Sequence, residues 1–223
     1  MGTNERNYCI TMGERKDILI DLHYLPSLEF FAAIISAGVV TIEAHEHYQK
    51  QSYRNRCTIL GANKIQTLSI PIQKTDPKIL IKDVKINYTQ KWSVEHWRSI
   101  CSAYGKAPFF EYYAPFFENI FIKRPKYLFE FNYQLLTLCL KLLGVKKEIG
   151  FSGQYQKKID QNIFDARGLI TPKKNYSDNK LYCPASYYQV FGKEFVPNLS
   201  IVDLLFCEGT NSKSILNNSI TSN

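Results

Sequence analysis

ILIDLHYLPSLEFFAAIISAGVVTIE, running from Ile18 to Glu43, decides the fold. Its opening, Ile18-Leu19-Ile20, is a short continuous apolar run of the kind that forms a buried strand. Pro26 closes the strand exit, Ser27 behind it can cap a helix, and Glu29 sits where the helix dipole favours a negative charge. Leu28, Phe31 and Ile35 then share one helical face until Gly38 stops it. Val39 to Glu43 resumes as a β-rich run. Strand, helix and strand in this order make a βαβ-like unit, with the usual option of a ligand beyond the strand ends. The fold class predicted is α/β: a single domain that opens with this unit and builds a mixed sheet with helices packed against it.

Working outward, Thr58-Ile59-Leu60, a Gly61-Ala62-Asn63 turn, Leu68 to Ile72 and Val84-Lys85-Ile86 read as further strands able to extend the sheet. Trp97, Ile100, Cys101 and Tyr104 mark a helix over Trp92 to Tyr104, ended by Gly105 and Pro108. The pairs Phe109-Phe110, Tyr112-Tyr113 and Phe116-Phe117 read as packing around a tight, proline-bounded segment. Leu128, Phe131, Leu135, Leu138 and Leu142 give the strongest helix, Tyr127 to Leu143, stopped by Gly144. Ile149 to Phe151 reads as a strand, 153–185 as a long loop with short irregular elements, and Ser200 to Phe206 as a last helix. Residues 1–17 are expected as an arm, 18–209 as the domain and 210–223 as a polar tail that frays.

Composition removes several function classes. The 223 residues are 45% hydrophobic and 22% charged, which suits one soluble domain. No run approaches the roughly 20 apolar residues of a membrane span, and the first sixteen residues lack an apolar signal core, so a cytoplasmic location is expected. The six cysteines are scattered without a CxxC pair, which predicts reduced thiols rather than a disulfide framework. The net charge of +8 would suit an anionic partner, but it lies in short pairs such as Lys146-Lys147 and Lys157-Lys158, so nucleic acid is disfavoured. No GxGxxG, P-loop, GxSxG or HExxH signature is present, and no cofactor is named by any motif.

Three constellations could carry chemistry. Lys50, Arg54 and Arg56 cluster around Asn55 beside Tyr48 and Tyr53. Guanidinium forks bind phosphate or carboxylate bidentately and tyrosine faces stack rings, so this is a candidate site for an activated anionic donor; the plainer alternative is a solvated loop. His45 and His47, two apart, would share one face of a strand with His23 nearby, but no further ligand stands at metal spacing and no metal is expected. His96 lies on a helix beside an apolar stripe, either projecting into a pocket as a base or half-buried at a core edge. Asp203, in an apolar helix, predicts an Arg or Lys partner or a backbone cap.

Three blocks in order carry a resemblance to the WbqC-like family. Tyr24-Leu25-Pro26 before an aromatic helix resembles the family's HQPNYLP opening, although Ile20, Asp21, Leu22 and His23 stand where H-Q-P-N would be. Lys50 to Arg56, leading to Leu68-Ser69-Ile70-Pro71-Ile72, resembles its K-x-S-[WY]-x-N-R segment and following strand. Trp92, His96, Tyr104 to Phe110, Tyr188 to Phe191 and Pro197 to Phe206 resemble its later part. The chain looks like a divergent branch similar to those of Bacteroidetes-type bacteria.

The resemblance implies a place in O-antigen or other surface-polysaccharide production, where transfer of a small acyl or aminoacyl group, glycine among the suggestions, is the proposed chemistry. The expected partner is an activated sugar or acyl donor. His23 and His96 are the candidate proton carriers, and Tyr24, Lys50, Tyr53, Arg54, Asn55 and Arg56 the candidate substrate contacts. The competing expectation is a non-catalytic ligand-binding or scaffold protein of the glycan-assembly machinery.

Overall fold

The computed structural model describes residues 16–220, so the expected arm lies almost wholly outside the described residues. Strand β1 (Asp17–Asp21), helix α1 (Leu28–Ser36) and strand β2 (Val40–Glu43) form the expected βαβ unit, with β1 and β2 parallel and Ile18 opposite Val40. Ser27 caps α1, its hydroxyl accepting from the Phe30 N–H. Strands β3 (Arg56–Leu60) and β4 (Ile65–Ser69) follow. They do not extend the sheet. Their short turn folds them onto each other as an antiparallel hairpin of its own. Val84 to Ile86 contributes a short 3-10 turn before it and isolated bridges rather than a strand.

Helices α2 (Trp92–Tyr104), α3 (Phe110–Lys123) and α4 (Leu128–Leu142) come next. The sequence does not predict α3, because Pro115 lies inside it, lacking an N–H and crowding the preceding turn. Burial of Ala114, Phe117, Ile120 and Phe121 on one face outweighs that local penalty. Strands β5 (Ile149–Phe151) and β6 (Ile163–Asp165) return to the first sheet, which has the order β5-β2-β1-β6 and is parallel throughout. The class is therefore α/β, with parallel and antiparallel pairing kept in separate sheets.

Helix α5 (Tyr176–Asn179) interrupts the long connection, and α6 (Ile201–Glu208) docks against the first turn of the domain, where the Ile201 N–H donates to Pro26 and the Ser200 hydroxyl to Leu25. Residues expected to fray instead form α7 (Ser212–Asn218), anchored by fully buried Leu216 and by the Ser212 hydroxyl on the Leu204 carbonyl. Among the described residues Asp203 finds neither Arg nor Lys. Its carboxylate accepts from the Tyr187 hydroxyl at 2.6 Å and the Gln189 amide at 2.9 Å, and burial pushes its pKa upward. Among the described residues no helix is long and apolar enough to cross a membrane.

Candidate functional site

Each strand of the parallel sheet delivers a polar side chain at or just past its carboxyl end, the edge where open α/β sheets bind ligands. Strand β1 ends in Asp21 and β2 in Glu43, one opposite the other; β6 ends in Asp165, and Ser152 directly follows β5. The loop after β2 adds Glu46 and Arg54, and the turn after β6 adds Arg167 and Gly168.

Asp21 is the hub. It is fully buried, and its two oxygens meet three groups: Oδ2 contacts His23 Nε2 at 2.8 Å and Arg54 at 3.1 Å, while Oδ1 accepts the Gly168 N–H at 2.7 Å. Gly168 reaches this position with φ near 65°, a conformation costly for other residues. Burial alone would raise the Asp21 pKa, but His23, Arg54 and the Gly168 amide outweigh it and hold the carboxyl down at about 2. Arg54 turns its fork on Glu46, donating from Nε and from a terminal nitrogen at 2.6 Å each. Burial, with Asp21 and Glu43 nearby, pushes Glu46 up to about 7 against the pull of Arg54.

Glu43 is also fully buried. It accepts from the Ser152 hydroxyl at 2.5 Å, the His45 N–H at 2.8 Å and Arg167 at 2.9 Å. Arg167 pairs bidentately with Asp165, which holds that carboxyl below its ordinary range, and stacks on the Tyr155 ring.

The state of His23 follows from these contacts. An ionised Asp21 can only accept, so His23 Nε2 carries the hydrogen of that bond, and in the uncharged tautomer this leaves the lone pair on Nδ1. That Nδ1 is buried and has no hydrogen-bond partner among the described residues, with the ring between Phe30 and Tyr53 at centroid distances of 5.0 and 5.6 Å. An imidazole oriented by a carboxylate, with its other nitrogen unengaged, is the arrangement of a general base.

The structure brings His23 and Arg54 together through Asp21 and sets Tyr53 beside them. It does not bring the other candidates to this point. His96 is buried, accepts from the Tyr24 hydroxyl at Nδ1 (3.0 Å), and donates to the Ser69 backbone carbonyl. Burial depresses its pKa to about 4, so its ring is neutral at neutral pH. This one cluster ties together residues from all three blocks seen in the sequence: Tyr24, Ser69 and His96. Asn55 braces the hairpin, donating to the Ile70 carbonyl, and Lys50 is exposed. Arg56, at the start of β3, has a buried Nε without a partner. His45 and His47 diverge, the first toward Ser152 and Lys82 and the second onto the Lys78 carbonyl. Among the described residues no three His, Cys, Asp or Glu side chains form a set that could hold a metal. Burial also pushes the Cys57, Cys139 and Cys207 thiols upward, the last to about 12, which removes them as ready nucleophiles.

Sequence reasoning passed over Glu43, Glu46, Ser152, Asp165 and Arg167 and treated Asp21 only as a departure from a motif. A signal existed. Ile18 to Ile20, Val39 to Ile42 and Ile163-Phe164 are apolar runs that each end in, or just before, a carboxylate, and in a parallel sheet such ends converge on one edge.

Comparison with known proteins gives one family. The model of the WbqC-like protein family matches residues 22–176 and 156–215. An uncharacterized protein of Mycobacterium tuberculosis, Rv1507c, is 23% identical over 232 aligned positions, covering 91% of this chain and 97% of that protein. No solved structure matches the chain.

Proposed function

From the premise that this chain belongs to the WbqC-like protein family, we propose that it serves surface-polysaccharide assembly in the cytoplasm as a transferase of a small acyl or aminoacyl group to a sugar. The buried Asp21–His23 pair with its unengaged Nδ1 carries this reading. In the transfer, the acceptor nitrogen or oxygen bonds to the acyl carbon of an activated thioester as the acceptor proton passes to His23 Nδ1. The carbon–sulfur bond breaks, and the thiolate that leaves recovers the proton from the imidazolium. Asp21 acts through His23, fixing the tautomer and balancing the charge that forms. Arg56, with an unsatisfied Nε, and exposed Lys50 are the cations left for an anionic donor, since Arg54 is occupied by carboxylates.

One observation favours the second reading, a non-catalytic binding protein of the same machinery: His23 is wholly buried, so a substrate reaches Nδ1 only if the residues packed over it move. The two separate in a product assay that incubates the protein with acetyl-CoA or a glycyl thioester and a panel of nucleotide-linked amino sugars, read by mass spectrometry. Transferase chemistry predicts an acylated sugar whose rate of formation drops by about a hundredfold or more in His23→Gln, read at a temperature where circular dichroism shows that variant folded. No product from the unaltered protein across the panel would move the function to the binding role.

A further inference from the structure

Parallel sheets are as a rule covered on both faces. Here Ile18, Ile20, Val40 and Ile42 join the hydrophobic core on one face. The alternate residues, Asp17, Leu19, Thr41 and Ile163, lie side by side on the other: Asp17 stands opposite Ile163 and Leu19 opposite Thr41. Leu19 is buried yet stands outside the core cluster, because the chain leaving β5 folds back over this second face. A groove of about 280 Å3 remains between that returning segment and the sheet, close to the lower bound for small-molecule sites.

Its lining is two-sided in chemistry. Leu19 and Ile163 give it apolar surface, and Asp17, Thr41, Gln154 and Gln156 give it carboxylate, hydroxyl and amide groups. Neither lysine nor arginine lines it, which disfavours phosphate. Glu43, at the end facing the ion network, is engaged by Arg167, the Ser152 hydroxyl and the His45 N–H. Asp17 has less: one oxygen accepts the Val39 N–H at 2.8 Å, and no ion pair engages it among the described residues. Apolar surface with hydrogen-bonding groups around it matches a pyranose ring, whose C–H faces are apolar and whose edges carry hydroxyls, and the spare carboxylate matches an amine.

We infer that this groove is a binding site for an unphosphorylated amino sugar, with Asp17 on the ammonium group and Thr41, Gln154 and Gln156 on the hydroxyls. The site is distinct from the Asp21–His23 pair, and its occupancy is a matter of binding, independent of any transfer chemistry.

Titration calorimetry with glucosamine, glucose and glucosamine 6-phosphate tests it on the full chain. Glucosamine is expected to bind saturably, glucose more weakly, and the 6-phosphate most weakly. Asp17→Asn keeps an oxygen for the Val39 N–H while removing the charge, and is expected to raise the glucosamine Kd about tenfold. Thr41→Val removes one hydroxyl at constant shape and is expected to raise it severalfold. Because Asp17 is exposed and Thr41 half-buried, both variants should melt close to the unaltered protein, and Gln156→Ala, on the exposed returning segment, serves if either does not fold. No glucosamine binding by the folded protein, a Kd indifferent to Asp17→Asn, or binding of the 6-phosphate as tight as that of glucosamine would each overturn the assignment.

Discussion

Removing the Arg54 side chain strands two buried carboxylates at once, because Asp21 and Glu46 both lean on the same guanidinium. Breaking such a network from one side costs far more than the net worth of its bonds, since the partners keep their charge without compensation. Arg54→Met is therefore expected to destabilise the fold by about 3–5 kcal/mol in urea denaturation, whereas Lys50→Ala, at an exposed turn, should stay within about 0.5 kcal/mol. Equal, small effects in the two variants would remove Arg54 from the network's centre. The pair was not separable in the sequence. Lys50, Arg54 and Arg56 read as one basic patch, because the carboxylates that claim Arg54 lie 8 and 33 positions away and only the folded sheet edge assembles them. His23 was legible as a candidate, but its orienting partner two residues earlier was not, since neighbours two apart in sequence meet only after the strand ends and the chain turns.

Strand β5, like β6, is short and lies at an edge of the sheet, with little ladder of its own. Ser152 fastens it. Its hydroxyl donates to Glu43 and accepts the Ala44 N–H at 3.0 Å, so a single side chain joins the end of β5 to the end of β2. Ser152→Ala leaves a buried carboxylate oxygen and a backbone amide short of a partner, which should cost about 1–3 kcal/mol. Amide exchange should quicken across 149–165, while exchange in α4 follows only the change in global stability. Exchange that quickens evenly over the whole chain would deny Ser152 this local role. Elements with strong periodicity, α1, α2, α4 and the first two strands, were legible because local pattern and burial agree in them. Helix α3 was not, since Pro115 argues locally for a break and only tertiary burial of Phe117 and Phe121 argues against it. Helix α7 was hidden for a related reason: its polar composition suits a tail, and its stability comes from burying Leu216 together with two serines, Ser212 and Ser219.

At the scale of the whole molecule, buried titratable groups set opposing slopes on stability as pH changes. Burial raises Glu29 in the first turn of α1 from 4.5 to about 7, in spite of donors from Asn179 and Asn198. The folded state therefore binds this proton more tightly than the unfolded chain. The resulting stability is full below pH 4.5 and is lost as pH rises toward 7. Glu46 moves in the same sense. His96 works in reverse: burial lowers it from 6.5 to about 4, so its contribution is full above pH 6.5 and is lost as pH falls toward 4. Asp21, held at about 2, keeps its share until pH falls below 3.8. Between pH 4.5 and 6.5 two carboxylates lose stability with rising pH while one histidine gains it, so the net falls and these groups together place the stability maximum near the lower end of that window, at about pH 4.5. Two variants assign the limbs. Glu29→Gln, which keeps an oxygen for the Asn179 amide and removes the charge, should raise the melting temperature at pH 8 and leave it nearly unchanged at pH 4. His96→Gln, which can still bond both Tyr24 and Ser69, removes the one opposing slope, so stability should rise more steeply as pH falls from 6.5 to 4.5 while the slope above pH 6.5 is kept. Melting curves that shift in parallel at every pH would mean that neither group titrates on folding, and the charge states drawn for the core from burial would be wrong.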